Sequence, residues 1–176
     1  MAVRPIVLYP DPVLLRPTRP VEEFGDALRQ LIRDMAETMV VASGVGLAAN
    51  QIGESVRLFI ADVSAGEEPD SLTVFANPEI VETEGVQDGE EGCLSFPDIN
   101  LEISRARRAT VRAQDVDGKP FTFTGEGLMA RAIQHEIEHL DGQVFLRHLS
   151  PFKRELVKKR IKKRIKAGDW LAAVEG

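Results

Sequence analysis

The residues best placed to do chemistry fall in one run, Gln134-His135-Glu136-Ile137-Glu138-His139-Leu140-Asp141-Gly142. His135 and His139 are four apart, so on a helix both imidazoles project from one face about one turn apart. That reach suits two nitrogens on a single divalent cation, with Glu136 beside them to handle the protons of a bound water. The same letters also suit a solvated helix face, because a short HExxH pattern arises by chance. The chain has 3 histidines and places two of them here, which favours the metal.

A two-histidine helix needs a third protein ligand and an open position for water. A further histidine three residues past Gly142 would complete one known pattern, but Phe145 stands there. Glu155 and Glu175 are the downstream carboxylates to weigh, one in a basic segment and the other almost at the end; neither suits. The single cysteine, Cys93, cannot make an internal disulfide and is therefore a buried thiol, a nucleophile or a ligand. It lies in Glu91-Gly92-Cys93-Leu94-Ser95-Phe96-Pro97, behind a glycine-rich acidic stretch able to bring it to the helix. A Cys93–His135–His139 site with Glu136 would run hydrolysis, the metal activating water and polarising a carbonyl while the carboxylate moves the proton. The Leu94 backbone N–H and the Gln51 amide are suited to hold the developing oxyanion.

The elements that must position these groups follow from periodicity. Leu128, Met129, Ala132, Ile133 and Leu140 recur at helical spacing, giving a helix over 126–140 with Gly142 where a terminating glycine belongs. Phe24, Leu28, Leu31, Ile32, Met35 and Met39 predict an amphipathic helix over 23–42. Ser43 to Gly53 is rich in small residues and lacks the third glycine of a dinucleotide loop. It is either a backbone that something approaches closely, with Gln51 able to donate and accept, or a packed glycine turn.

Strands are expected at 56–61 and 72–76, then a turn at Asn77-Pro78 into a short strand over 79–84. Strands at 109–115 and 120–124 flank Val116-Asp117-Gly118-Lys119, a hairpin on an Asp-Gly turn. Antiparallel strands around a central HExxH-bearing helix make the class α+β. Ser150-Pro151 opens a last helix over 151–167 as cap and first residue, and Gly168 stops it. Phe152, Leu156, Ile161 and Ile165 are expected to form its one apolar stripe. Residues 1–168 are read as a single catalytic domain and 169–176 as a tail.

Composition narrows the class. With 176 residues, 43% hydrophobic and 28% charged, the chain is an ordinary globular length and mix. No apolar run approaches the roughly 18 residues of a membrane helix, and the first residues carry no secretory core, so a cytoplasmic enzyme without membrane association is expected. The net charge of −6 conceals an asymmetry: residues 147–166 hold ten Lys/Arg and one acid, a local +9, which leaves −15 elsewhere. That basic arm is either a solvated surface helix or a nucleic-acid contact; without interleaved aromatics, single-strand stacking is not expected.

Three stretches in order, Gly44-Val45-Gly46-Leu47-Ala48-Ala49-Asn50-Gln51, Glu91-Gly92-Cys93-Leu94-Ser95 and Gln134-His135-Glu136-Ile137-Glu138-His139, resemble the peptide deformylase signature. The likeness runs from Tyr9-Pro10-Asp11-Pro12 to Leu149-Ser150-Pro151. It implies hydrolysis of the N-formyl group from formyl-methionyl nascent chains, releasing formate. It further implies iron(II) on Cys93, His135 and His139, with zinc, nickel or cobalt able to substitute. Glu136 would be the general acid/base, and Gln51 and the Leu94 amide would bind the formyl oxygen. The Gly46 backbone would contact the substrate, and Val45, Leu128 and Ala132 would wall an apolar methionine pocket. The basic arm matches the family's C-terminal helix and implies docking on the ribosome.

Three positions differ from the usual pattern or sit oddly in it. Glu138 replaces the Asp of HExDH and is read as retuning helix packing or histidine orientation. Asn50 stands where members often carry proline, a matter of loop rigidity. Arg131 is a polar choice beside the pocket, its stem expected to line the site while its head finds water. Two rival functions fit the same residues: a metal-dependent peptidase or amidase with the same ligands, and a structural metal module with an RNA-binding arm. The second needs a fourth ligand, and His148 has no evident route back to the site.

Overall fold

The computed structural model describes residues 2–174. Three helices, α1 (Asp26–Val41), α2 (Gly127–Leu140) and α3 (Pro151–Ala167), combine with seven strands. Strands β1 (Gly46–Ala48), β2 (Leu58–Ala61), β3 (Thr73–Glu84), β6 (Arg108–Gln114) and β7 (Pro120–Glu126) form an antiparallel sheet ordered β1-β2-β3-β6-β7. Strands β4 (Gln87–Cys93) and β5 (Phe96–Arg105) pair as a separate hairpin. The arrangement is α+β, as expected.

One end of the large sheet is covered on both faces. Leu58 and Ile60 of β2 pack toward α1, against Leu28, Ile32, Met35 and Met39. Phe59 and Ala61, the alternate residues, pack toward α2, against Ile133, Ile137 and Leu140. All four β2 residues are therefore buried, which explains an apolar run with no polar alternation. Each large side chain withdrawn from water here contributes about 1.5–3 kcal/mol before the entropy of ordering it. A third cluster joins Phe96, Ile99 and Ile103 of the hairpin to Phe145, Leu146, Ile161 and Trp170. Helix α2 thus lies between the sheet and the β4–β5 hairpin, with its histidine face toward the hairpin.

Several elements differ from expectation. Asn77-Pro78 does not end a strand; β3 runs through it with a register shift between Ala76 and Glu79. Asn77 takes φ 50°, and its side chain accepts from Val21 N at 2.8 Å and donates to Gln114 Oε1 at 2.7 Å. The bulge is what accommodates proline inside the ladder. The glycine-rich acidic stretch is a true strand, β4, and β5 follows where no strand was expected.

Helix α3 begins and ends as expected, with Ser150 Oγ accepting from Lys153 N at 3.3 Å and Gly168 after its last turn. The single apolar stripe is wrong. Ile161 is 1% exposed, but Phe152 is 74% and Leu156 51% exposed. Nine residues separate Phe152 from Ile161, two and a half helical turns, so the two face opposite sides. The inner side is instead Ile161, half-buried Val157 and the arginines Arg154 and Arg164. Of residues 169–176, expected as a tail, 175 and 176 lie outside the described residues, and Trp170 and Val174 are buried.

Candidate active site

The site is assembled from three separate stretches held on different elements. His135 and His139 come from α2, and Gly142, two residues past its end, takes φ 73°. Cys93 ends β4, at the point where the hairpin register slips before Phe96. Gln51 sits in a short 3-10 turn over Ala49–Ile52, directly after the buried strand β1. One ligand atom from each of Cys93, His135 and His139 lies within 4.8 Å of the others. Cys93 Sγ is 3.3 Å from His139 Nε2, which is 3.1 Å from His135 Nε2. One soft thiolate and two imidazole nitrogens facing a common point, all from groups that ligate when deprotonated, fit a divalent transition metal. Among the described residues His148 is not part of this group.

The histidine orientations have identifiable causes. His135 Nδ1 is 2.7 Å from Glu91 Oε2, so its Nε2 is turned toward Cys93 and His139. Glu91 is in turn gripped by Arg105, whose Nε and Nη2 meet the two carboxylate oxygens at 3.0 and 2.7 Å. Arg131 Nη1 adds a third contact at 3.1 Å and also donates to Ile103 O at 2.9 Å. The head of Arg131 is therefore buried in an ion pair, not in water as expected. Burial opposes a charge on Glu91, but the hydrogen bonds and charges of His135 and Arg105 outweigh it and hold its pKa well below the carboxylate range. Arg105 Nη1 continues to Glu138 Oε1 at 2.8 Å, which also meets His148 Nε2 at 2.7 Å. Glu138 thus anchors the far side of this network.

Glu136 lies on the facing side of the helix turn. Burial is the main cause that raises its pKa to about 7, and its Oε2 is buried without a protein partner among the described residues. A Cβ on Gly46 would stand 2.7 Å from Glu136 Oε1, so only glycine lets β1 pass this close to the carboxylate. For His135, burial disfavours the charge, yet Cys93, Glu91 and Glu136 raise its pKa well above the imidazole value. Burial and the neighbouring His135 lower that of His139.

A cavity of about 300 Å³ opens beside these groups, its exposed lining mostly apolar. Val45, Gly46, Cys93, Leu94, Leu128, Ala132, His135 and Glu136, all singled out from sequence, line it. Leu128 is 52% exposed and stands at the mouth, whereas Ala132 is buried. Gln51 lies beyond the lining, with Nε2 3.7 Å from Cys93 Sγ and 3.2 Å from Ser95 Oγ, while its Oε1 accepts from Ala48 N at 3.0 Å. The amide is thereby oriented with its N–H groups toward the thiol.

A family model described as polypeptide deformylase matches residues 3–155. The chain belongs to that family. A peptide deformylase of Acidobacterium capsulatum is 54% identical over 170 residues, covering 97% of this chain and 100% of its own. The crystal structure of a peptide deformylase from Legionella pneumophila, 45% identical, superposes with a TM-score of 0.86 over 94% of this chain and 98% of that one. That from Thermus thermophilus, 46% identical, gives 0.84 over 94% and 96%. The deformylase family consists of hydrolases that remove the N-formyl group from nascent peptides, the activity implied by the resemblance. No helix is long and apolar enough to cross a membrane among the described residues.

Sequence reasoning missed the supports rather than the working groups. From sequence, Glu91 is only the first residue of the Cys93 stretch, with no role of its own, and Arg105 has none. Glu91 precedes Cys93 by two residues in a strand, so both side chains point to one face. That parity was the available signal.

Proposed function

We propose that this chain deformylates formyl-methionyl nascent peptides at a centre in which Cys93, His135 and His139 hold iron(II), with zinc, nickel or cobalt able to replace it. The observation that carries the reading is the convergence of the three ligand atoms with buried Glu136 on the wall of an apolar cavity. When bound, the ion supplies Lewis acidity and an activated water. Glu136 accepts the proton of the attacking water and delivers it to the departing amine. Gln51 Nε2 and the Leu94 N–H donate to the formyl oxygen as it gains charge. Val45, Leu128 and Ala132 receive the unbranched methionine side chain, and the Gly46 backbone contacts the substrate chain. Glu91 holds His135 in the tautomer that leaves Nε2 free to ligate. A solved relative from Ehrlichia chaffeensis, 36% identical with a TM-score of 0.85, is described in complex with actinonin, and the same cavity is the place for such a ligand here.

The deciding experiment is formate release from formyl-Met-Ala-Ser by iron-loaded protein prepared without oxygen, beside Glu136→Ala. Turnover that collapses in the variant, with metal retained, supports the reading. Equal cleavage of the unformylated peptide would favour a peptidase instead.

The outer face of α3 suggests where this cytoplasmic enzyme meets its substrate. Exposed Phe152 and Leu156 lie among exposed Lys159, Arg160 and Lys163, a face suited to ribosomal RNA and protein near emerging chains. Reversing the charges of Lys158, Lys159, Lys162 and Lys163 should lower co-sedimentation with ribosomes while hydrolysis of a small formyl-peptide holds. Unchanged sedimentation would remove the docking proposal.

A further inference from the structure

The two metal-side histidines are not supported alike. His135 Nδ1 has Glu91. His139 Nδ1 is buried and meets no protein partner among the described residues, although an imidazole ligating through Nε2 carries its proton on Nδ1. A second orphan lies on the residue already bonded to His139. Asn50 is fully buried, its Nδ2 donates to His139 O at 2.7 Å, and its Oδ1 too is without a partner among the described residues. The amide orientation is not in question, because a carbonyl oxygen only accepts and so the nitrogen must face it. A buried acceptor and a buried donor, both unmatched, therefore belong to one pair of residues 89 apart in sequence. Chance pairing is a poor account of this, since most buried polar atoms find a partner directly or through ordered water.

We infer that Asn50 is the positioning residue for His139, taking the Nδ1–H of the imidazole onto its Oδ1 across one buried water molecule. Its two amide atoms then act on the same ligand residue. Nδ2 fixes the backbone at the end of α2, and Oδ1 fixes the tautomer and turn of the ring, as Glu91 does for His135. Asn50 also precedes Gln51, so one short turn sets both the oxyanion donor and a metal ligand. The inference rests on the metal reading of Cys93, His135 and His139.

The test uses the full chain loaded with cobalt(II) for metal release and with zinc for magnetic resonance. In zinc-loaded, 15N-histidine-labelled wild type, the His139 Nδ1 proton should be visible and slow to exchange, beside that of His135. In Asn50→Leu, similar in size but without hydrogen bonds, the His139 signal should be lost to exchange while the His135 signal persists. Cobalt should then pass to a chelator about tenfold faster or more, on the scale of the affinity lost when an outer partner of a ligating histidine is removed. A fast-exchanging His139 proton in the wild type overturns the inference even if the variant fails to fold. Equal cobalt release from the folded variant and the wild type overturns it as well. Absence of a thiolate-to-cobalt absorption band in the wild type would instead overturn the metal reading, and this inference with it.

Discussion

Trp170 and Tyr9 stand 161 residues apart and are joined by one hydrogen bond, from indole Nε1 to the Tyr9 carbonyl oxygen at 2.7 Å. The bond sits in a stack: Tyr9 lies on Phe96 with centroids 4.8 Å apart, and Trp170 meets Phe96 edge-on at 6.4 Å. Arg164 covers the indole at 5.1 Å and donates to Pro97 O at 2.7 Å. From there the path reaches the site, because Tyr9 N donates to Ser95 O at 3.0 Å and Ser95 Oγ is 3.2 Å from Gln51 Nε2.

Trp170→Ala should therefore behave as a core truncation. Large aromatic side chains removed from a core cost about 3–5 kcal/mol. Leu171→Ala, next door but 58% exposed, should cost little. Urea unfolding of both variants measures the difference, and equal midpoints would show that residues 169–174 add nothing to the domain.

Gly46→Ala tests the close passage of β1 over Glu136. The added methyl would lie 2.7 Å from Glu136 Oε1, so either the strand or the carboxylate must move. A shift near 1 Å in an acid/base group costs on the order of 100-fold in rate. Turnover of a formyl-peptide should fall by about that factor, with metal content by atomic absorption unchanged. Full activity in Gly46→Ala would show that Glu136 has room to spare and that the fit is not needed.

What sequence alone made legible follows a physical line. Ligands and acid/base groups could be found because metal chemistry restricts residue type and spacing, and a helix converts that spacing into a shared face. In the β4–β5 hairpin, Ile99, Leu101 and Ile103 of β5 do alternate and were passed over, whereas β4 offers mostly glycines and acids, its buried Glu91 being held by Arg105 and Arg131. Arg131 was assigned to water for the same reason: the letters of a buried ion pair read as surface. Asn77-Pro78 looked like a turn because the bulge that tolerates it depends on partners at Val21 and Gln114, far off in sequence. On α3 the apolar residues were right and the faces wrong, an error that counting turns would have exposed.

The ion-pair network predicts an uneven mutational response. Arg105 is buried between Glu91 and Glu138, at 2.7 and 2.8 Å. Removing one partner of a buried pair leaves an uncompensated charge and typically costs about 3–5 kcal/mol. Arg105→Ala should lose stability on that scale and hold metal at least tenfold more weakly, since Glu91 no longer fixes His135 firmly. Arg105→Lys keeps the charge but not the two-pronged grip on Glu91, so it should recover stability better than metal affinity. Recovery of both to wild-type levels, measured by chelator competition and thermal unfolding, would show that charge alone matters.

Asp62 gives the pH prediction. It follows β2 and ties the loop 62–71 together, accepting from Ser64 N, Ser64 Oγ, Ser71 Oγ and Gly66 N at 2.9, 2.6, 2.7 and 3.0 Å. Its own N–H donates to Val45 O at 2.9 Å, so the loop is fastened to the wall of the substrate cavity. Burial would raise the Asp62 pKa, but these hydrogen bonds to the ionised form outweigh it and the net direction is down. A carboxyl with a folded pKa below its unfolded value of about 3.9 binds protons more readily when unfolded. Its stabilising contribution is therefore complete above about pH 4–5 and is lost as pH falls through the lower folded value. Asp62→Asn imitates the protonated form, so wild type and variant should differ most near neutral pH and converge below about pH 3. Urea midpoints for both proteins across that range provide the measurement, with the other carboxyls titrating alike in each. A gap that stays constant from neutral to acid pH would mean that the charge of Asp62 contributes nothing and that the variant suffers only from altered shape.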